Sequence, residues 1–201
     1  MISLSQLAEV RQGMAMAGRA AGARRGDWRL SVVESADIVE DRLSRERLRE
    51  IEVRRNARTE AHLLHPFDLL VTARSRSVKV ALVPPDLSRA VAAATLLVVR
   101  TPDPGTGLAH FLWYYLSSAR GRAEVAARVT ATSLPTLSAR ALGDVPVTAP
   151  PDHELHRLAD LVEAAEASRA AALEAVRVRH DVLRDAIIGA AAAPDRDRRT
   201  R

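Results

Sequence analysis

The chain has 201 residues, 47% hydrophobic but only 3% aromatic, which allows one ordinary domain with an extension and excludes two full-sized ones. Its net charge of +5 favours an anionic partner, nucleic acid being the commonest, although Lys79 is the only lysine and such an arginine excess also follows from GC-rich coding. The absence of cysteine excludes disulfides, thiolate metal sites and cysteine nucleophiles; with no signal core and no apolar run near the roughly 20 residues of a membrane span, a soluble, cytoplasmic protein without a membrane partner is expected.

Leu4, Leu7 and Val10 have helical spacing, which predicts a helix over residues 4–10. Between Gly13 and Gly26 small residues surround Arg19, Arg24 and Arg25, the composition of an exposed loop. Trp28–Val33 reads as a strand. Residues 40–62 alternate acids and arginines, a solvated charged surface with a short helix opening at Ser44. Residues 67–73 and 78–83 are β-rich and joined by Arg74-Ser75-Arg76-Ser77, a hairpin with a polar, basic tip. A third strand covers residues 94–100, with Arg100 a structural residue at its end. Residues 108–118 have helix length and the strongest apolar cluster, interrupted by Gly121; Trp28, Trp113, Tyr114 and Tyr115 adjoin aliphatic runs and read as core anchors. An irregular segment through Leu134, Leu137, Leu142, Val145 and Val147 leads to Pro150-Pro151.

From Asp152 to about Ala192 there is no proline and one glycine, and helix formers dominate. Leu158, Val162, Ala165, Ala172, Val176, Leu183 and Ala186 fall on one 4-3 repeat, with Arg169 and Arg179 in the two remaining slots. A rod of roughly 57 Å, at about 1.5 Å per residue, cannot bury that seam on one small domain and asks for a partner helix. The fold class expected is therefore α+β: a mixed, β-rich body over residues 1–151, a long coiled-coil helix over residues 152–192, and a charged, disordered tail over residues 193–201.

Catalytic signatures are missing. His153 and His156 share a helix face but have no third ligand nearby, so no metal is expected. No G-x-S-x-G elbow, phosphate loop or G-x-G-x-x-G fingerprint occurs, and Pro84-Pro85-Asp86 lacks the aromatic that would stack on a flipped base. No catalytic residue is assigned. Nucleic-acid binding rests instead on loops that carry cationic and polar groups on small-residue backbones: Arg19, Arg24 and Arg25; Arg74, Ser75, Arg76 and Lys79; and Thr132 and Ser133.

Two stretches carry a family resemblance. Leu63-Leu64-His65-Pro66-Phe67-Asp68-Leu69-Leu70-Val71-Thr72-Ala73-Arg74-Ser75, followed by Lys79-Val80-Ala81, resembles the target-recognition domain of type I restriction-modification specificity subunits. In that family a Pro-Gly-Asp turn leads into a strand and a serine- and basic-rich loop; here Phe67 stands in the glycine's place. Phe111-Leu112-Trp113-Tyr114-Tyr115-Leu116-Ser117-Ser118 is similar to the family helix before the closing loop, and residues 130–138 to its polar loop. Leu142-Gly143-Asp144-Val145-Pro146-Val147 with Pro150-Pro151 and Glu154 resembles the family's exit from domain into helix, with Leu155 in place of the customary glutamine.

The resemblance implies a non-catalytic, double-stranded-DNA-reading subunit of a phage-defence system. It would direct a modification subunit that methylates adenine, and in some systems a restriction subunit as well. Any S-adenosylmethionine would then belong to the partner, and this chain would bind no cofactor. Family members carry two recognition domains and two helical regions, so the chain resembles a half-subunit whose helix would pair two copies as a homodimer. Two rival readings stand beside it: a recognition subunit of another phage-defence methyltransferase system, and a coiled-coil scaffold that binds no DNA.

Overall fold

The computed structural model describes residues 1–15, 28–46, 48–75, 77–130 and 135–192. In chain order these form β1 (Ile2–Ser3), α1 (Leu4–Leu7), β2 (Glu9–Gln12), β3 (Trp28–Val33), β4 (Ile38–Val39), β5 (Arg42–Leu43), β6 (Arg49–Val53), α2 (Ala57–Ala61) and β7 (Leu69–Thr72). There follow β8 (Val80–Leu82), β9 (Ala90–Ala92), β10 (Leu96–Arg100), α3 (Leu108–Ser117), α4 (Ala119–Ala126), α5 (Ala139–Gly143), β11 (Pro146–Val147) and α6 (Asp152–Ala192). The fold is mixed, with several small sheets and a long C-terminal helix, as the sequence predicts. The chain divides into two compact units, Met1–Ala159 and Asp160–Arg201, so α6 crosses the boundary.

The first unit is built on a four-stranded antiparallel sheet, β2-β10-β7-β8, and a three-stranded one, β6-β3-β9. All four residues of β7 are buried, as are the first four of β10, because both faces of these strands are covered. Leu70, Ala81, Leu96 and Val98 share a core with Val33, Ile38, Ala90 and Ala92. Leu30, Val32, Val91 and Ala93 form a second cluster on which Trp28, Ile51 and Val53 pack. Period-two alternation along β3 and β9 divides their side chains between the two clusters. Leu112 and Leu116 of α3 are fully buried and Trp113 nearly so.

Several expectations are corrected. The helix anticipated over residues 4–10 lasts one turn: Val10 pairs with Val99 in the sheet, where burial on a strand outweighs the helical spacing of three apolar residues. The charged stretch has no helix at Ser44 among the described residues; it forms the hairpin of β4 with β5 and the charged edge strand β6. The aromatic helix is broken at Ser118 rather than at Gly121, because Ser118 leaves the helical conformation and its Oγ caps α4 by accepting from the Gly121 N–H at 3.1 Å. Tyr114 is exposed rather than a core anchor, since it lies on the solvent side of α3, while the Tyr115 hydroxyl donates to Pro146 O at 2.7 Å. The proposed tail lies outside the described residues.

The Pro66-Phe67-Asp68 turn holds Phe67 at φ 65°, a left-handed conformation that glycine adopts without strain. Local interactions hold it there: Phe67 N–H donates to Val83 O at 2.9 Å, Asp68 N–H to His65 O at 3.1 Å, His65 N–H to Asp68 Oδ2 at 2.8 Å, and the Phe67 ring lies 5.1 Å from that of His110. At the start of α3, Gly107 (φ 83°) allows α6 a close approach: a Cβ there would meet Leu155 O at 2.5 Å.

Candidate nucleic-acid interface

The register of the four-stranded sheet gathers one set of strand ends. Gln12 opposes Leu97, Thr72 opposes Leu96, and Val80 opposes Val71, so the end of β2, the β7–β8 link and the start of β10 share an edge. Gly13 N–H donates to Leu96 O at 2.9 Å and Met14 N–H to Ala92 O at 2.7 Å, which fixes the point where residues 16–27 depart. A Cβ on Gly13 would lie 2.1 Å from Ala93 O, so only glycine fits this crossing. Ala73 N–H donates to Thr95 O and Leu137 N–H to Ala73 O, both at 2.8 Å, while Arg74 and Thr130 each form a bridge with Thr136. The first root of the loop that follows Gly13 and both roots of the other two thus lie side by side, while Trp28, where the first loop ends, opens β3 opposite Val53 in the other sheet.

Arg74 is exposed on this edge and Ser75 half-buried, its Oγ accepting from Ser77 N–H at 3.3 Å. Arg19, Arg24, Arg25, Arg76, Thr132 and Ser133 lie outside the described residues. Lys79 has a different place: its half-buried ammonium donates to Ile38 O at 2.9 Å and Ser35 O at 3.4 Å, tying the hairpin to the body. Asp41 and Arg122 beside it gave no local signal in sequence, because 81 residues separate them.

Other arginines are balanced within the fold. Arg29 lies near Glu50 and Glu52, Arg49 pairs with Glu34 at 3.0 Å, and Arg55 pairs with Glu60 at 2.7 Å. These pairs take up five of the charges between residues 40 and 62: Arg49, Glu50, Glu52, Arg55 and Glu60. Arg100 is structural, as its position at a strand end suggests: Nε and Nη2 donate to both oxygens of buried Asp68 at 2.8 and 2.7 Å, and Nη2 also reaches Leu63 O at 2.9 Å. The hydrogen bond to Asp68 holds the Arg100 pKa above its ordinary value, whereas burial, with Arg100 close by, lowers that of Arg11. Burial first, then the charges of Arg11 and Arg58, lowers the pKa of His62. No group of three or more metal-ligating side chains occurs among the described residues.

On α6, Leu155 and Val162 are buried and Leu158 half-buried, while Ala165, Ala172, Val176, Leu183 and Ala186 are exposed. Leu161, Leu173 and Ile187 are exposed apolar residues that the strict 4-3 count omits. A straight helix turns once per 3.6 residues, so over its 41 residues the stripe drifts from a 3.5-residue seam. It runs through Val162, Ala165, Leu173, Val176, Leu183 and Ile187.

No family model matches the chain, and no curated protein matches it. Solved structures do. One, concerned with complex assembly and conformational transition of the type I R-M system, aligns over 92% of this chain and 42% of its own, with 16% identity and a TM-score of 0.59. The S subunit of a type I restriction-modification system from M. genitalium aligns over 91% of this chain and 42% of its own, with 16% identity and a TM-score of 0.54. The chain has the type I S-subunit fold. It spans less than half the length of those chains. The S-subunit fold accommodates both the β-rich body and the long helix, since the alignments cover nine-tenths of the sequence. No helix among the described residues is long and apolar enough to cross a membrane.

Proposed function

We propose that this chain is a non-catalytic, sequence-specific DNA-binding subunit of a cytoplasmic restriction-modification system, and that it directs a partner adenine methyltransferase to its target. The observation that carries this reading is that three loops, rich in arginine and small polar residues, each have a root on one sheet edge. Cations there neutralise phosphates, and polar side chains meet base edges. S-adenosylmethionine belongs to the methyltransferase, as does all the chemistry; a restriction subunit joins where the system also cleaves.

The exposed apolar stripe of α6 supports pairing with a second copy, which would supply the other half of an S-subunit-sized assembly. A homodimer of this kind reads a split palindrome.

Changing Arg74 and Arg76 together to alanine tests the interface. Binding to a random DNA duplex is expected to weaken, and the slope of log K against log salt to fall by about 0.9 for each phosphate no longer neutralised, with thermal stability nearly unchanged. Identical salt dependence in variant and wild type refutes the assignment. Absence of any wild-type binding at low salt favours a scaffold instead.

A further inference from the structure

Outside the basic loops, one feature of the same edge combines backbone strain with a dense set of hydrogen bonds. Glu40 (φ 48°) and Asp41 (φ 59°) form the two-residue turn between β4 and β5, both in the left-handed region that such turns ordinarily fill with asparagine and glycine. Strain of this kind persists only where the surroundings over-determine it. Here Trp113 Nε1 donates to Asp41 O at 2.9 Å, and Asp41 Oδ1 accepts the Val80 N–H at 3.0 Å. Asp41 Oδ2 accepts from Arg122 Nη2, while Arg122 Nη1 donates to Val78 O at 2.9 Å and Nε to Ser117 O at 2.8 Å.

Three successive residues of the returning limb of the β7–β8 hairpin are therefore gripped from outside their own sheet: Val78 by Arg122, Lys79 by the carbonyls of Ser35 and Ile38, and Val80 by Asp41. The opposite limb is held by the ladder bonds of the sheet. Asp41 is 18% exposed and Arg122 40%, and each nitrogen of the guanidinium donates a hydrogen bond within the fold. That leaves Arg122 poorly placed to reach a phosphate, and it cancels a carboxylate that would otherwise repel one at the base of a basic loop.

We propose that Asp41 and Arg122 are a positioning pair that fixes the Val78–Val80 limb of the β7–β8 hairpin and so presets Arg74 for DNA, without touching DNA themselves. This rests on the DNA-reading function above. Fixing the limb beforehand removes an ordering cost that a loose loop would meet on binding.

The test compares the full-length wild type with Asp41→Asn and Arg122→Lys on a random-sequence DNA duplex across a salt series, at a temperature where all are folded. Each variant is expected to bind about five- to thirtyfold more weakly at every salt concentration, the scale of ordering the backbone of one residue, with the salt slope unchanged. A residue in contact with phosphate would lower the slope; a purely structural one would lower the melting temperature and leave Kd alone. Either outcome overturns the proposal. Wild type that binds, with variants that bind equally, removes only the positioning role; wild type that does not bind removes both readings. Should the variants not fold, amide exchange on the wild type decides: the Val80 amide is expected to exchange as slowly as that of Val71, and fast exchange overturns the clamp.

Discussion

Substitution of Asp68 is expected to damage the body more than any change at the basic loops. Its side chain is 2% exposed, receives two hydrogen bonds from Arg100, and accepts the His65 N–H that shapes the strained Phe67 turn. Asp68→Ala leaves the 23%-exposed Arg100 facing one carbonyl and the neighbouring Arg11, whose Nη1 is already buried without a partner. Removing one member of a buried pair costs about 3–5 kcal/mol. In a body of this size that corresponds to a fall in Tm of roughly 6–20 °C. Urea denaturation followed by far-UV circular dichroism measures it. Adding Arg100→Met should recover part of the loss, because no charge is then stranded. A loss under about 1 kcal/mol for Asp68→Ala, or a double variant no better than the sum of the singles, refutes the reasoning.

The pKa of His62 is lowered in the fold, so between the ordinary value and the folded one the unfolded chain binds more protons. Stability should therefore be fully present above about pH 6.5 and decline on acidification toward the folded pKa; urea midpoints against pH should lose that part of the slope in His62→Gln, and an identical profile argues against it. Gly13→Ala drives a methyl into the carbonyls of Ala92 and Ala93 and should cost about 1–3 kcal/mol or more by overpacking, read as a lower unfolding midpoint; a neutral result contradicts the close crossing. On α6, Val176 and Leu183 are 66% and 57% exposed, so Val176→Glu with Leu183→Glu should leave the helix folded while halving the mass found by sedimentation; an unchanged mass counts against the seam.

Strong local patterns made much of this molecule legible in sequence. The β-branched runs of β7, β8 and β10, the apolar cluster of α3 and the unbroken helix-forming stretch of α6 each declare their own conformation. Where the pattern was short, tertiary context decided: Val10 joined a sheet because a strand lay waiting for it. Lys79 looked like a DNA contact because its neighbours are basic, yet its partners Ser35 and Ile38 lie some forty residues upstream. The same distance in sequence hid Asp41, whose positive φ no Asp codon announces. Pairings between remote segments are set by packing, and a single sequence carries no local trace of them.

The pairing of β1 with β11 has an architectural consequence. Ile2 sits opposite Val147, so the body's first strand and its last lie hydrogen-bonded to each other. A module whose entry and exit coincide can be spliced into a longer polypeptide, or repeated within one, through short connectors and without disturbing its interior. Loop identity and helix length then become independent variables, one free to diverge while the other keeps its span.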